Sequence, residues 1–294
     1  MIITKKSKYI VTTRLYSVLL YNIRGELLFE NSFAKGDFMP SKHIDFNIDA
    51  AQGYGVYKND KESELLQYVS SVYISCGFHA GDPLLIREYL LKCKENNLTI
   101  GAHIGFNDIA GLGYRPMELS NEEIEAIVIY QIGALASFAK SYNLSIDSVR
   151  PHGAMYKLAS ENYEFSLAIA NAIKKFDKWL NYTCLDNEIL DRVSAETGVV
   201  VNKEVFIDKY YTHEFNVDWD NKKYLNDEDS LNRIRTIMYS SQIKLGNGVF
   251  MPVNCDTIHF DTKNPNVVQL LKRANEIITP TPTNYNKAET SGWV

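Results

Sequence analysis

The sequence predicts an α/β fold on parallel strands, a (β/α)7-type barrel, and three observations carry that expectation. Short apolar runs of strand length alternate with longer stretches of helical periodicity between residues 43 and 278. Helix-start and helix-stop residues punctuate the alternation. Histidines and carboxylates recur where strands end, which is where parallel α/β folds hold their ligands. A doubly wound open sheet is the competing arrangement. Repeated βα units close readily into a barrel, and crossover handedness places the helices outside.

Residues 1–42 stand apart. Apolar stretches at 16–21 and 27–29 flank a turn-like 22–25, which predicts an appended β-hairpin. The first core strand is expected over 43–47, followed by a Gly-rich loop and a short helix at 63–68. A strand at 72–76 leads through Gly77 and Gly81 to Asp82-Pro83, a cap followed by a residue suited to the first helical turn. That helix should run to about residue 96, and a third strand over 98–103. Ser120 with Glu123 is a capping box, and Ile124, Ile127, Val128, Ile132 and Leu135 continue at helical spacing to about residue 142. Strands at 147–150, 180–185 and 199–206 alternate with helices at 161–176 and 187–197, the latter ended by Gly198. A helix over 229–240, a last strand or strand pair within 249–260 and a helix over 265–278 complete about seven βα units, with no hairpin between them. Residues 43–278 thus form one domain, and the Thr-, Pro- and Asn-rich 279–294 a loose tail.

Composition narrows the function. A formal net charge of −5 argues against a nucleic-acid surface. No run approaches the ~18 apolar residues of a membrane span. The stretch after Lys5-Lys6 is broken by Thr12, Thr13, Arg14 and Ser17, which excludes a signal peptide. Cys76, Cys93, Cys184 and Cys255 have neither disulfide nor metal spacing, as expected of reduced thiols in a cytoplasmic protein. There is no Walker motif and no GxGxxG.

Chemistry gathers at the strand ends. Asp45, Asn47 and Asp49 alternate and so share one face of the first strand. His79 follows the second strand, His103 the third, Arg150 and His152 the fourth, Glu204 and Asp208 the sixth, His259 the seventh. One such residue is more often structural than catalytic; four histidines with several carboxylates at equivalent turns point to an active site. The set suits acid–base catalysis of hydrolysis or acyl transfer, because imidazole titrates near neutral pH and carboxylates orient it. Asp49, His79 and His103 could instead hold a divalent metal, although no His-x-x-x-His pair is present. Arg115, at the end of a loop carrying Gly111 and Gly113, and Arg150 could each grip a carboxylate or phosphate, or be ordinary structural arginines.

Several segments, in order, resemble the LamB/YcsF family. They are Asp45-Phe46-Asn47-Ile48-Asp49-Ala50-Ala51-Gln52, Cys76-Gly77-Phe78-His79-Ala80-Gly81-Asp82-Pro83, Gly101-Ala102-His103 with Gly111-Leu112-Gly113-Tyr114-Arg115, and Pro151-His152-Gly153-Ala154-Met155-Tyr156. Glu204-Val205-Phe206 with Asp208, and His259 with Asp261, complete the match. The resemblance implies a barrel similar to sugar deacetylases. It also implies a subunit that, with two partner subunits, opens 5-oxo-L-proline to L-glutamate at the expense of ATP, the nucleotide being handled by the partners. Carried onto this chain, it implies Asp45, Asp49, His79, His103, His152 and Glu204 as catalytic, and Asn47, Gln52, Arg115, Arg150, Asp208 and His259 as substrate-binding. The chain departs from the family pattern at Ile48, Ala51, Gln52, Ile104, Asn107, Tyr114, Arg150 and Phe260. Gln52 stands where the family has Glu, and an amide cannot act as a general base. Two alternatives follow: a catalytically weakened member that binds a ligand or partner, and a metal-dependent amide hydrolase acting alone.

Overall fold

A computed structural model describes residues 10–14, 17–21, 27–32, 44–57, 59 and 61–278. The N-terminal strands β1 (Ile10–Arg14), β2 (Ser17–Tyr21) and β3 (Leu27–Ser32) form an antiparallel sheet in that order. The turn expected at 22–25, His43 at the start of the first core strand, and the tail at 279–294 lie outside the described residues.

Six parallel strands then pair in succession: β4 (Asp45–Ala50), β5 (Ser71–Ser75), β6 (Thr99–Ile104), β7 (Ser148–Pro151), β8 (Asn181–Leu185) and β9 (Val201–Phe206). A short antiparallel hairpin, β10 (Gln242–Lys244) and β11 (Phe250–Pro252), follows. Strand β12 (Thr257–His259) then closes the ring between β9 and β4. The barrel therefore has seven parallel strands, as the sequence predicts. The hairpin corrects the expectation that no such unit interrupts the series. Its strands are three residues each, joined through Gly246-Asn247-Gly248, too short for alternation to register.

The helices are α1 (Lys61–Leu65), α2 (Pro83–Glu95), α3 (Asn121–Ser141), α4 (Gly153–Glu161), α5 (Tyr163–Phe176), α6 (Glu188–Thr197), α7 (Asp227–Ser240) and α8 (Val267–Ile278). Asp82 caps α2 by accepting from the Leu84 and Leu85 amides, and Ser120 with Glu123 forms the capping box of α3. Each cap contributes about 1 kcal/mol. The helix expected at 161–176 is α5, and a further helix, α4, precedes it. Asn162, in an extended conformation, ends α4 and caps α5 through the Phe165 amide. Among the described residues, α3 alone is long and apolar enough to cross a membrane, by length and composition. Here it packs on α5 and β6, and its Gln131 side chain bonds both backbone groups of Gly105.

Strand alternation decides what the barrel encloses. On β4, Phe46, Ile48 and Ala50 are buried on one face while Asp45, Asn47 and Asp49 occupy the other. The apolar set contributes about 1.5–3 kcal/mol per large side chain. The polar set points into the barrel, where its partners come from the flanking strands and, for Asn47 and Asp49, from strands further round the ring. The interior is thus a stack of hydrogen-bonded polar layers.

Candidate active site

The lowest layer belongs to Asp45. Its carboxylate accepts from the hydroxyls of Ser70, Ser71 and Thr257 at 2.5–2.6 Å, at the start of the strands. Asp45, expected to be catalytic, therefore lies at the N-terminal end of the strands and is not among the residues brought together around the histidines. It shares a face with Asp49 but stands four residues earlier, roughly 13 Å along the strand.

The middle layer is a buried ion-pair network. The Arg150 guanidinium donates from Nε to both Glu204 oxygens (2.9 and 2.8 Å) and from Nη1 to Asp49 Oδ1 (2.8 Å). Glu204 also accepts from Asn47 Nδ2 (3.0 Å) and the Tyr156 hydroxyl (2.9 Å). Asn47 Oδ1 meets His259 Nδ1 at 2.7 Å. Arg150 also lies beneath the rings of Tyr73, Tyr156 and Phe206. Glu204 thus joins Arg150 and Asn47, while Arg150 goes on to Asp49 and Asn47 to Thr257 and His259. Arg150 and Asn47, expected to contact substrate, lie within this network, and Arg150 supports Asp49 from below.

The upper layer is the reactive one. Burial works against ionisation of Asp49, but Arg150 and the nearby His103 and His259 outweigh it and hold the carboxyl well below its ordinary pKa. Asp49 Oδ1 lies 3.2 Å from His103 Nε2, and that nitrogen is 2.9 Å from His152 Nδ1. His103 Nδ1 faces the Arg150 carbonyl (3.2 Å), and His152 Nε2 the Leu112 carbonyl (2.9 Å). Carbonyls accept, so these contacts assign the ring protons to His103 Nδ1 and His152 Nε2. His103 Nε2 then lies within reach of two further acceptors, His152 Nδ1 and Asp49 Oδ1. A proton or a cation at that point would satisfy them.

His79 stands beside this point, stacked on His152 with ring centroids 4.1 Å apart. Both of its ring nitrogens are buried without a hydrogen-bond partner. Burial first, then neighbouring imidazoles, keeps His79 and His152 well below the ordinary imidazole pKa, so both are neutral at pH 7. A buried, unpartnered imidazole costs free energy unless something bonds it in use. His79, His103 and His152 bring a nitrogen each to within 4.8 Å of one another. A tetrahedral zinc spaces its nitrogen ligands roughly 3.3 Å apart. With Asp49 alongside, the donor set fits a divalent cation.

Glycine makes room for this packing. A Cβ on Gly113, whose φ is +74°, would come within 2.8 Å of both His79 Cβ and His152 Cδ2. Gly113→Ala is expected to cost about 2–4 kcal/mol in urea denaturation, from left-handed strain plus overpacking.

The remaining predicted residues are more peripheral. His259 Nε2 is 3.7 Å from Asp49 Oδ2, and burial, reinforced by Arg150, lowers its pKa to about 4. Asp208 is buried, bonded through one oxygen to Asn264 Nδ2 (2.9 Å), its other oxygen unpartnered; burial and Asp261 raise its pKa to about 7. Arg115 is exposed and tied to Asp108 through both Nε and Nη2, so it clips its own loop rather than joining the cluster. Gln52 is half-buried, its amide N–H directed at the buried Glu62 (3.3 Å to Oε1). Ala51 beside it has φ +57°, so the turn after β4 does demand the conformation that glycine adopts freely. Tyr156, which grips Glu204, went unselected as a site residue. Its place four residues past His152, about one helical turn on, and at the end of the Pro151–Tyr156 segment could have marked it.

Glu62 makes the stability pH-dependent. Burial lifts its pKa from 4.5 to about 7, opposed by bonds from Tyr89 and the backbone of Gln52 and Ala51. Its contribution is complete below the unfolded value and is lost as pH rises through about 7. Glu62→Gln cannot ionise. Relative to wild type, it is expected to gain on the order of 3 kcal/mol between about pH 4.5 and pH 8, read by urea denaturation at both.

A closed seven-stranded parallel barrel carries a buried histidine cluster and an anionic aspartate at its C-terminal mouth, residue types suited to acid–base chemistry or to holding a divalent metal. Comparison with known families matches residues 44–291 to the LamB/YcsF family, and the chain belongs to it. The A subunit of 5-oxoprolinase from Pyrococcus abyssi is 32% identical over 238 residues, 80% of this chain and 93% of that protein. Its counterpart from Geobacillus thermodenitrificans is 36% identical over 235 residues, 79% and 91% of the two. The crystal structure of a lactam utilization protein from Thermus thermophilus superposes with a TM-score of 0.74 at 32% identity, covering 79% of this chain and 94% of that one.

Proposed function

We propose that this chain is the lactam-opening component of an ATP-dependent 5-oxoprolinase, converting 5-oxo-L-proline to L-glutamate with partner subunits. The observation that carries it is the meeting of Asp49, His103 and His152 beside an unpartnered His79, in a chain similar throughout its barrel to proteins named as the A subunit of 5-oxoprolinase. A lactam is an unactivated amide, so ATP phosphorylates its oxygen, and partner subunits carry out that step. Water then adds to the former carbonyl carbon, and the C–N bond breaks with a proton going to nitrogen. Hydrolytic loss of the phosphate completes glutamate.

The residues divide this labour. Asp49 and the His103–His152 pair take the proton from water and return one to the ring nitrogen. Neutral His79, with both nitrogens free, receives the polar edge of the bound lactam. A divalent ion bound by His79, His103, His152 and Asp49 would supply Lewis-acid polarisation and a more acidic water. Elemental analysis of protein purified without chelator tests it, with about one equivalent of metal expected.

Gln52 favours a second reading, a weakened member that binds rather than turns over. Glutamate release from 5-oxoproline and ATP, with partner subunits present, decides between them. Wild type is expected to release glutamate, and Gln52→Glu to change the rate by less than about tenfold. An inactive wild type with an active Gln52→Glu would establish the second. ATP hydrolysis by the chain alone in the presence of 5-oxoproline would overturn the division of labour.

A further inference from the structure

Lys263 lies in the turn between β12 and α8, its amide bonded to Asp261 Oδ1 at 2.9 Å. Its Nζ donates to the Tyr114 hydroxyl (2.5 Å) and stands 4.1 Å above that ring. The Tyr114 ring in turn meets the His152 ring edge-on, centroids 5.0 Å apart. The ammonium is thereby fixed over the mouth, one aromatic ring away from the histidine cluster.

The charges around it are unequally matched. Lys209 is paired with Asp261 at 2.7 Å. Arg150 is answered below by Asp49 and Glu204. Among the described residues, Lys263 makes no ion pair with a carboxylate. Its charge nevertheless reaches His79 and His152, adding to the burial and neighbouring imidazoles that lower both. A fixed, unpaired ammonium beside a phenol hydroxyl is a site for a small anion, and a carboxylate can bond both donors at once.

We propose that Lys263 and the Tyr114 hydroxyl form a clamp for a ligand carboxylate, which turns the rest of a small ring toward His79 and Asp49. The clamp deepens the lactam-opening assignment and rests on it, since 5-oxoproline carries its carboxylate next to the ring nitrogen. Neither residue touches the reacting amide, so both are positioning residues.

Three probes separate clamp from lactam chemistry: 5-oxo-L-proline, 2-pyrrolidinone (lactam without carboxylate) and cyclopentanecarboxylate (carboxylate without lactam). Binding of each to the full chain is measured by NMR titration for wild type, Lys263→Gln, Lys263→Arg and Tyr114→Phe. Lys263→Gln is expected to weaken both carboxylates at least about tenfold and leave 2-pyrrolidinone unchanged. Lys263→Arg should restore most of the loss, and Tyr114→Phe should weaken both carboxylates by a smaller factor. Unchanged carboxylate binding by Lys263→Gln, or binding of neither carboxylate by wild type, overturns the clamp. If wild type binds cyclopentanecarboxylate through Lys263 but favours neither lactam, the clamp stands and the lactam assignment falls.

Discussion

Arg150→Ala is expected to destabilise the barrel by about 3–5 kcal/mol. Arg150 is buried and is the only cation bonded to Asp49 and Glu204 among the described residues. Truncating it leaves two carboxylates in the barrel interior with hydroxyl, amide and imidazole partners alone. Arg150→Met should fare little better, because the stem is replaced but the charge is not. The deficit has a pH signature. Without the guanidinium, burial raises the Asp49 pKa, and the variant recovers part of its stability as pH falls and that group protonates. Urea denaturation followed by tryptophan fluorescence is a suitable readout, since Trp219 packs edge-on against Tyr156 and Phe206, both in contact with Arg150. A loss below about 1 kcal/mol would show that the network is not what supports the upper layer.

Asp49→Asn carries the largest catalytic effect. The substitution keeps shape and two hydrogen-bonding atoms but removes the anion that meets His103 Nε2. A fall of about 10²–10⁴ in kcat is expected in the assembled complex, the range for loss of a positioned acid or base. Circular dichroism and the denaturation midpoint separate that loss from misfolding. A KM change with kcat unaltered would move Asp49 from proton transfer to substrate binding.

Much of this arrangement was legible in the residues, and the exceptions have physical causes. Alternation with caps fixed the barrel, because parallel βα units leave strong punctuation at Asp82-Pro83, Ser120 and Gly198. Strand ends located His79, His103, His152, His259 and Asp49, since side chains there face the mouth. Period-two alternation cannot tell one end of a strand from the other, so Asp45 was grouped with Asp49 although it lies at the opposite end. Nor does it reveal which charges neutralise each other. Arg150 and Glu204, more than fifty residues apart, read as free groups until the ring brought them to 2.8 Å. Arg115 was left open between an anion contact and a structural role, and its partner Asp108 proves to be local. The start of α4 was hidden because Gly153, at φ +55°, looks like the end of structure rather than the first residue of a helix.

The central claim is that the lactam binds at the histidine mouth, and a crystal structure of the chain with 5-oxo-L-proline tests it most directly. The account predicts the ring against His79 and Asp49 with the carboxylate at Lys263. A cavity of about 350 Å³ away from the histidines, lined by Tyr210, Arg233, Lys244 and Phe250, offers a clear contrast. Ligand there, with the histidine mouth empty, would contradict it.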